Sequence, residues 1–160
     1  MGLRIKGLDK LQKELEQKIN VFNAQFRLKL GMMARDLIYK RVKSGYGTNN
    51  LQPGNAKRAR LKPLSKSYVE QRRKRKLGSF GSPGRSNLTL SGQMLDAILV
   101  QANARGIKVY IDNSKRDDGY TNAEIAEFVQ KARPFFVLTQ DELIVLVREI
   151  ERELRTKTRR

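Results

Sequence analysis

The sequence predicts an α+β fold in one domain: a long N-terminal helix, a small antiparallel sheet with a hairpin, and a capped C-terminal helix. Three observations predict it. Apolar residues recur at steps of three or four from Leu8 to Leu37. Ile107, Val109 and Ile111 alternate with Lys108 and Tyr110. Thr139-Gln140-Asp141-Glu142 has the spacing of a capping box ahead of a further apolar stripe.

The elements follow in order. Residues 2–6 (GLRIK) suit a short strand with Leu3 and Ile5 on one face, and Gly7 breaks it. Leu8, Leu11, Leu15, Ile19, Phe22, Phe26, Leu30, Met33 and Leu37 then mark an amphipathic helix to about Lys43. Such a helix would be about 54 Å long, more than one small domain can cover. Part of its stripe, Leu15, Ile19, Phe22 and Phe26, is therefore expected to meet a neighbouring subunit. Gly31 costs a helix interior about 1 kcal/mol; two helices kinked there are the alternative.

Ser44 to Leu64 contains SGYG, TNN and QPGN and reads as loop. Pro63 stops it, and Ser65 caps a short basic helix from Lys66 to about Arg75. Leu77 to Asn87 is rich in glycine and serine and reads as a flexible loop. Together 44–87 is expected to be a flexible basic arm. Ser91, followed by Gly92, caps a helix that buries Met94, Leu95 and Ile98. Ile98 to Asp112 is a hairpin turning at Asn103 to Gly106, and Asp112 to Tyr120 is a polar loop. Thr121 or Asn122 opens a helix with Ile125, Phe128 and Val129 inward, which Ala132-Arg133-Pro134 ends. Phe135 to Leu138 is β-prone. Thr139, with Glu142 at N3, caps the last helix, whose stripe is Leu143, Leu146, Val147, Ile150 and Leu154, and the basic tail 156–160 is expected to fray.

Composition narrows the function. The net charge is +18, which favours a polyanionic partner or an acidic neighbour in an assembly. With no cysteine and no histidine, disulfides, thiolate metal sites and histidine-activated nucleophiles are excluded. No apolar run approaches the length needed to span a bilayer, and MGLRIKGLDK carries no secretory signal, so folding in a cytoplasm and no membrane partner are expected. The acidic residues fall mostly on helix surfaces, and Gly78, Gly81 and Gly84 lack the Lys-Ser/Thr ending of a phosphate loop. No enzyme activity, cofactor or metal is expected. Lys57, Arg58, Arg60, Lys62, Lys66, Arg72, Arg73, Lys74, Arg75 and Lys76 enclose one acid, Glu70. Arg72 to Lys76 would spread around a helix, which suits non-specific phosphate contact and not base readout. A merely solvated basic loop is the bland alternative.

Three segments together resemble the neck and tail-completion proteins of tailed bacteriophages, the virion-morphogenesis family. They are PLSKSY (Pro63 to Tyr68), LTLSGQMLDAI (Leu88 to Ile98) and ARPFFVLTQDEL (Ala132 to Leu143). The resemblance covers nearly the whole chain. It departs where Arg60, Leu61 and Lys62 replace an aromatic residue before the turn, and where EIAEFVQKA has neither the histidine nor the glycine common in the family. It implies structural roles for Pro63, Ser65, Ser91, Gly92, Arg133, Pro134, Phe135, Phe136, Thr139 and Glu142, with Phe135 and Phe136 in a strand before the last helix. It implies a non-enzymatic virion protein, assembled in the host cytoplasm, forming a six- or twelve-fold homo-oligomeric ring at the head–tail junction. Its neighbours would be the portal or connector and the tail-terminator or tail-tube proteins, with double-stranded DNA passing through or held behind the ring. The basic arm would then order on docking and grip either an acidic ring or the DNA. The alternative function is a cytoplasmic, non-specific nucleic-acid-binding protein.

Overall fold

A computed structural model of the protein describes residues 23–52, 54–74, 88, 93–103, 106–116 and 119–158. The fold is α+β. Helix α1 spans Ala24–Lys43. Asn23 sets its start: its backbone is extended (φ −62°, ψ 167°), and its side chain accepts the Phe26 N–H at 2.8 Å, satisfying one of the amides a helix N-terminus leaves open. The helix that reaches Lys43 thus begins at Ala24, not at Leu8, because an asparagine able to cap stands in the stripe. The expected strand at 2–6 and Leu15, Ile19 and Phe22 lie outside the described residues.

The buried line of α1 is Phe26, Leu30, Ala34, Ile38 and Val42, at steps of four. Met33 and Leu37, expected on that line, flank it half-buried. The small residues explain the shift. Gly31 is buried and lets a hairpin lie against the helix: a methyl group there would meet Val100 Cγ1 and come within 2.8 Å of Ile107 Cγ2. Gly31 therefore marks a close approach and not a kink.

That hairpin is β3 (Ile98–Asn103) and β4 (Gly106–Ile111), paired antiparallel with Ile98 opposite Ile111 and Asn103 opposite Gly106. A second, two-stranded ribbon pairs β1 (Tyr46–Thr48) with β2 (Arg58–Arg60). It replaces the loop expected over 44–64. Ala56 (0% exposed), Thr48 (4%) and Leu61 (7%) bury this segment in the domain.

Helix α2 spans Lys66–Lys74, and the Ser65 hydroxyl accepts the Tyr68 N–H at 3.3 Å, as an N-cap does. A single turn, α3 (Gln93–Asp96), precedes β3. Met94, Leu95 and Ile98 are buried as expected, Ile98 already in the strand. The capping residues Ser91 and Gly92 lie outside the described residues. Helix α4 (Asn122–Ala132) opens on Thr121, whose hydroxyl accepts the Glu124 N–H while the Glu124 carboxylate accepts the Thr121 N–H. It ends before Pro134, at the Arg133 C-cap. Asn122 and Ala126 are buried on it, with Ile125 and Val129 against the core. Phe128, expected inward, is 75% exposed. The small Ala126 takes the inward place, so the buried face is narrower than an apolar count suggests.

Helix α5 (Gln140–Thr158) runs past Arg155. Its last turn holds Arg155 and Lys157, charges that suit the negative end of a helix dipole, so 156–158 is helix rather than frayed tail. Leu146, Ile150 and Leu154 pack on Phe26 and Leu30 of α1. Val147, expected in this stripe, is half exposed. Glu149 fixes the α1–α5 contact, receiving Lys29 at 2.6 Å and Arg152 at 2.6 Å. The Lys29 hydrogen bond is the chief cause that holds its carboxyl below the usual range. The main core joins Ile38 and Val42 with Leu61, Met94, Leu95, Ile98, Ala126 and Phe135.

Gly31→Ala tests the packing of hairpin on helix. Alanine favours the helix by about 1 kcal/mol, but overpacking short β-branched side chains costs about 1–3 kcal/mol. The variant is expected to be less stable in urea unfolding, with Val100→Ala restoring part of the loss.

Candidate functional site

The segment from Arg133 to Thr139 crosses the domain as an irregular strap. Phe135 to Leu138 is not a strand, in contrast to the expectation from the resemblance. Its polar groups are taken by side chains and by β1 instead of a ladder. The Thr48 N–H donates to Pro134 O at 2.8 Å, the Gln140 N–H donates to Ala56 O at 3.0 Å, and Gln130 Oε1 accepts the Phe136 N–H at 2.9 Å. Gly47 lets β1 come close: a methyl there would collide with Pro134 O and lie 2.7 Å from Leu61 Cδ2. Phe135 itself is fully buried.

Arg41, in the last turn of α1, holds the strap from inside. It is 6% exposed. Its Nη2 donates to Phe135 O at 2.6 Å and to Val137 O at 2.8 Å. Its Nη1 donates to, and pairs with, Glu142 Oε2. The same Glu142 oxygen accepts the Thr139 N–H at 2.8 Å, and the Glu142 N–H reaches Thr139 Oγ1 at 3.3 Å, completing the expected capping box. Burial pushes the Arg41 guanidinium below its ordinary pKa, Glu142 pulls it back up, and Arg58 adds a repulsion that lowers it. An arginine stays charged nonetheless. Sequence reasoning missed Arg41, since nothing in its spacing sets it apart from Lys40 or Lys43.

The expected arm is, over its described part, folded onto this framework. The Arg133 guanidinium donates to Lys62 O at 3.3 Å and to Pro63 O at 3.4 Å, so the turn before α2 is tied to the strap. Of the expected contact residues, Lys57, Arg58, Arg60, Lys62, Lys66, Arg73 and Lys74 are exposed. Arg72 is buried at 5% and belongs to the domain interior, correcting its expected place in the arm. Arg75 and Lys76 lie outside the described residues. Arg58 and Arg60 share the outward face of β2, with Ala59 half-buried between them. Tyr46 stands opposite Arg60 in the ribbon, and the Arg58 guanidinium carbon lies 3.8 Å from the Tyr46 ring centroid, a close cation–π contact. The alternation Arg-Ala-Arg was the one signal of this arrangement in the sequence.

Phe26, expected at a subunit interface, is 5% exposed and spent within the chain, against Leu146, Ile150 and Leu154. Among the described residues no three of His, Cys, Asp and Glu come together to hold a metal ion, and no helix is long and apolar enough to cross a membrane. A groove of about 570 Å³ beside α1 is lined by Arg35, Lys40 and Lys43 together with Asp36 and Asp96. Its charges are of both signs, and the Tyr39 hydroxyl donates to Asp96 at 3.3 Å. In comparisons with known proteins the chain matches no family model, no curated protein and no solved structure.

The basic stretch separates into framework and surface. Arg72→Ala is expected to lower stability by about 1–3 kcal/mol, through lost packing and lost polar contacts. Arg73→Ala and Lys74→Ala are expected to stay within about 0.5 kcal/mol of the parent. Urea unfolding of the three single variants checks this.

Proposed function

We propose that the protein is a non-enzymatic structural subunit of a ring at the head–tail junction of a tailed bacteriophage, joining the head connector to the tail around or beneath the DNA. The observation that carries this reading is how the three segments of the resemblance relate in space. Arg133 of ARPFF is bonded to Lys62 O and Pro63 O at the head of PLSKSY. Phe135 shares one core with Met94, Leu95 and Ile98 of LTLSGQMLDAI. Motifs far apart in the chain are thus parts of one packing unit, as expected if they specify one scaffold and not three independent sites.

The surface supports an assembly role. With Phe26 spent internally, other apolar side chains are available for subunit contacts: Leu28 (42% exposed) and Met32 (44%) on α1, Phe128 (75%) on α4, and Ile144 (44%) and Val147 (50%) on α5. They lie on three helices, and exposed apolar side chains of this kind can serve as contacts between subunits. In this reading the exposed cations between Lys57 and Lys74 face either an acidic neighbouring ring or the DNA, and ring symmetry multiplies each weak contact.

The exposed cations also favour a second reading, a cytoplasmic protein that coats nucleic acid without sequence preference. Electron microscopy of the purified protein, alone and with linear duplex, at moderate and high salt, separates the two. Closed rings of defined symmetry that persist at high salt are expected. Irregular coating of the duplex that disappears with salt, without rings, would overturn the neck reading in favour of the second.

A further inference from the structure

Among the described residues the cations differ in what they meet. Lys29, Arg35, Arg41, Lys131 and Arg152 each meet a carboxylate. The exposed cations on β2, in the turn after it and on α2 meet none among the described residues. Exposed cations elsewhere, among them Lys108, Arg148 and Lys157, also meet no carboxylate, but along 57–74 seven exposed cations stand against a single acid, Glu70. Arg58 also adds a repulsion at the buried Arg41.

We propose that the outward face of the β1–β2 ribbon, together with the start of α2, binds the phosphate backbone of duplex DNA without reading its sequence. Arg58, stacked on Tyr46, is the central contact, and Lys57, Arg60, Lys62 and Lys66 flank it. This names the partner of the basic segment and rests on the neck reading only for the place where the duplex would be met.

The geometry argues for phosphate in three steps. First, Arg58 is held in place before anything binds. With its guanidinium carbon 3.8 Å from the Tyr46 ring centroid, the side chain has already given up much of its rotamer freedom, while its edge N–H groups stay available for a bidentate oxyanion contact. Second, the strands of the ribbon and α2 carry no exposed large apolar residue; Leu51 (43%) lies in the loop that joins β1 and β2, and the others, such as Leu28, Met32, Leu99 and Ile107, lie on other elements. A protein partner would be expected to find a desolvated apolar centre with a polar rim, whereas DNA interfaces are polar and strongly positive. Third, a single-strand site needs free aromatic faces for base stacking. Here Arg58 occupies a face of Tyr46, and Tyr68 is half-buried. A regular line of phosphates is the polyanion that remains.

The test is fluorescence anisotropy of a labelled short duplex with the full-length protein across a salt series. The parent is expected to bind with a log K that falls linearly with log salt, equally for duplexes of unrelated sequence. Arg58→Gln/Arg60→Gln should bind more weakly at low salt and flatten the slope by roughly 1.8, about 0.9 for each lost phosphate contact. Tyr46→Leu keeps every charge and should weaken binding several-fold at an unchanged slope. Lys131→Gln, on α4, should change nothing. Circular dichroism melting of each variant shows that it is folded. The proposal is overturned if the Arg58/Arg60 variant binds as the parent does. It is overturned equally if polyglutamate displaces the duplex at equal charge, which points to an acidic protein partner, or if the corresponding single strand binds more tightly. Rings in the microscope without duplex binding would sink this inference and leave the neck reading standing; duplex binding without rings would do the reverse.

Discussion

A guanidinium withdrawn from water must be met on several sides or it costs the fold several kcal/mol. Arg41 is met by one carboxylate oxygen of Glu142 and by the carbonyls of Phe135 and Val137. These partners come from the strap and from the first turn of α5, almost a hundred residues along the chain from Arg41. Charge-assisted hydrogen bonds are worth about 1.5–3 kcal/mol each, and they offset the burial of the guanidinium although its Nε is buried without a partner. The partners lie on separate elements, so the one side chain fixes the relative placement of α1, the strap and α5.

The rest of the molecule follows from that placement. Because Arg41 takes the strap's carbonyls, the strap needs no neighbouring strand and can cross the domain as irregular chain. Pro134 O is then presented to Thr48, and the glycine at 47 allows the close approach. The β1–β2 ribbon is seated by this edge, by Ala56 accepting the Gln140 N–H, and by Arg133 holding the turn at Lys62 and Pro63. The cationic face is consequently a folded surface over its described length. A folded cation cluster would meet a partner without the ordering entropy that a free arm loses on contact. The same device leaves α5 pinned at its start by Glu142 and along its length by Glu149, with apolar residues to spare on its outer side.

What the sequence made legible was local chemistry. The hairpin was readable from alternation and a turn, the start of α5 from Thr139 and Glu142, the end of α4 from Pro134, and the start of α2 from Ser65, because each depends on neighbours within a few residues. What it hid were contacts made by small or ordinary residues over long range. Gly31 and Ala34 carry no apolar weight, yet they decide which face of α1 the hairpin covers. Strands of three residues, as at 46–48 and 58–60, are too short for any period to show. Phe128 reads as core in a helix whose inward face is taken by Ala126. Arg41 and Arg72 are indistinguishable by type from cations that point to water. The basic residues of the candidate site were legible as a cluster, but the folded ribbon and the Arg58–Tyr46 stack depend on strand pairing the sequence does not announce.

Arg41 and Glu142 seat the strap and, through it, the cationic ribbon. The most direct test is amide hydrogen exchange in Arg41→Met/Glu142→Leu, which removes both charges together and leaves neither buried alone. The Thr48, Phe136 and Gln140 amides are expected to lose protection while those of α1 and of the β3–β4 hairpin keep theirs. Unchanged protection at Thr48, Phe136 and Gln140 in the folded double variant would contradict this seating.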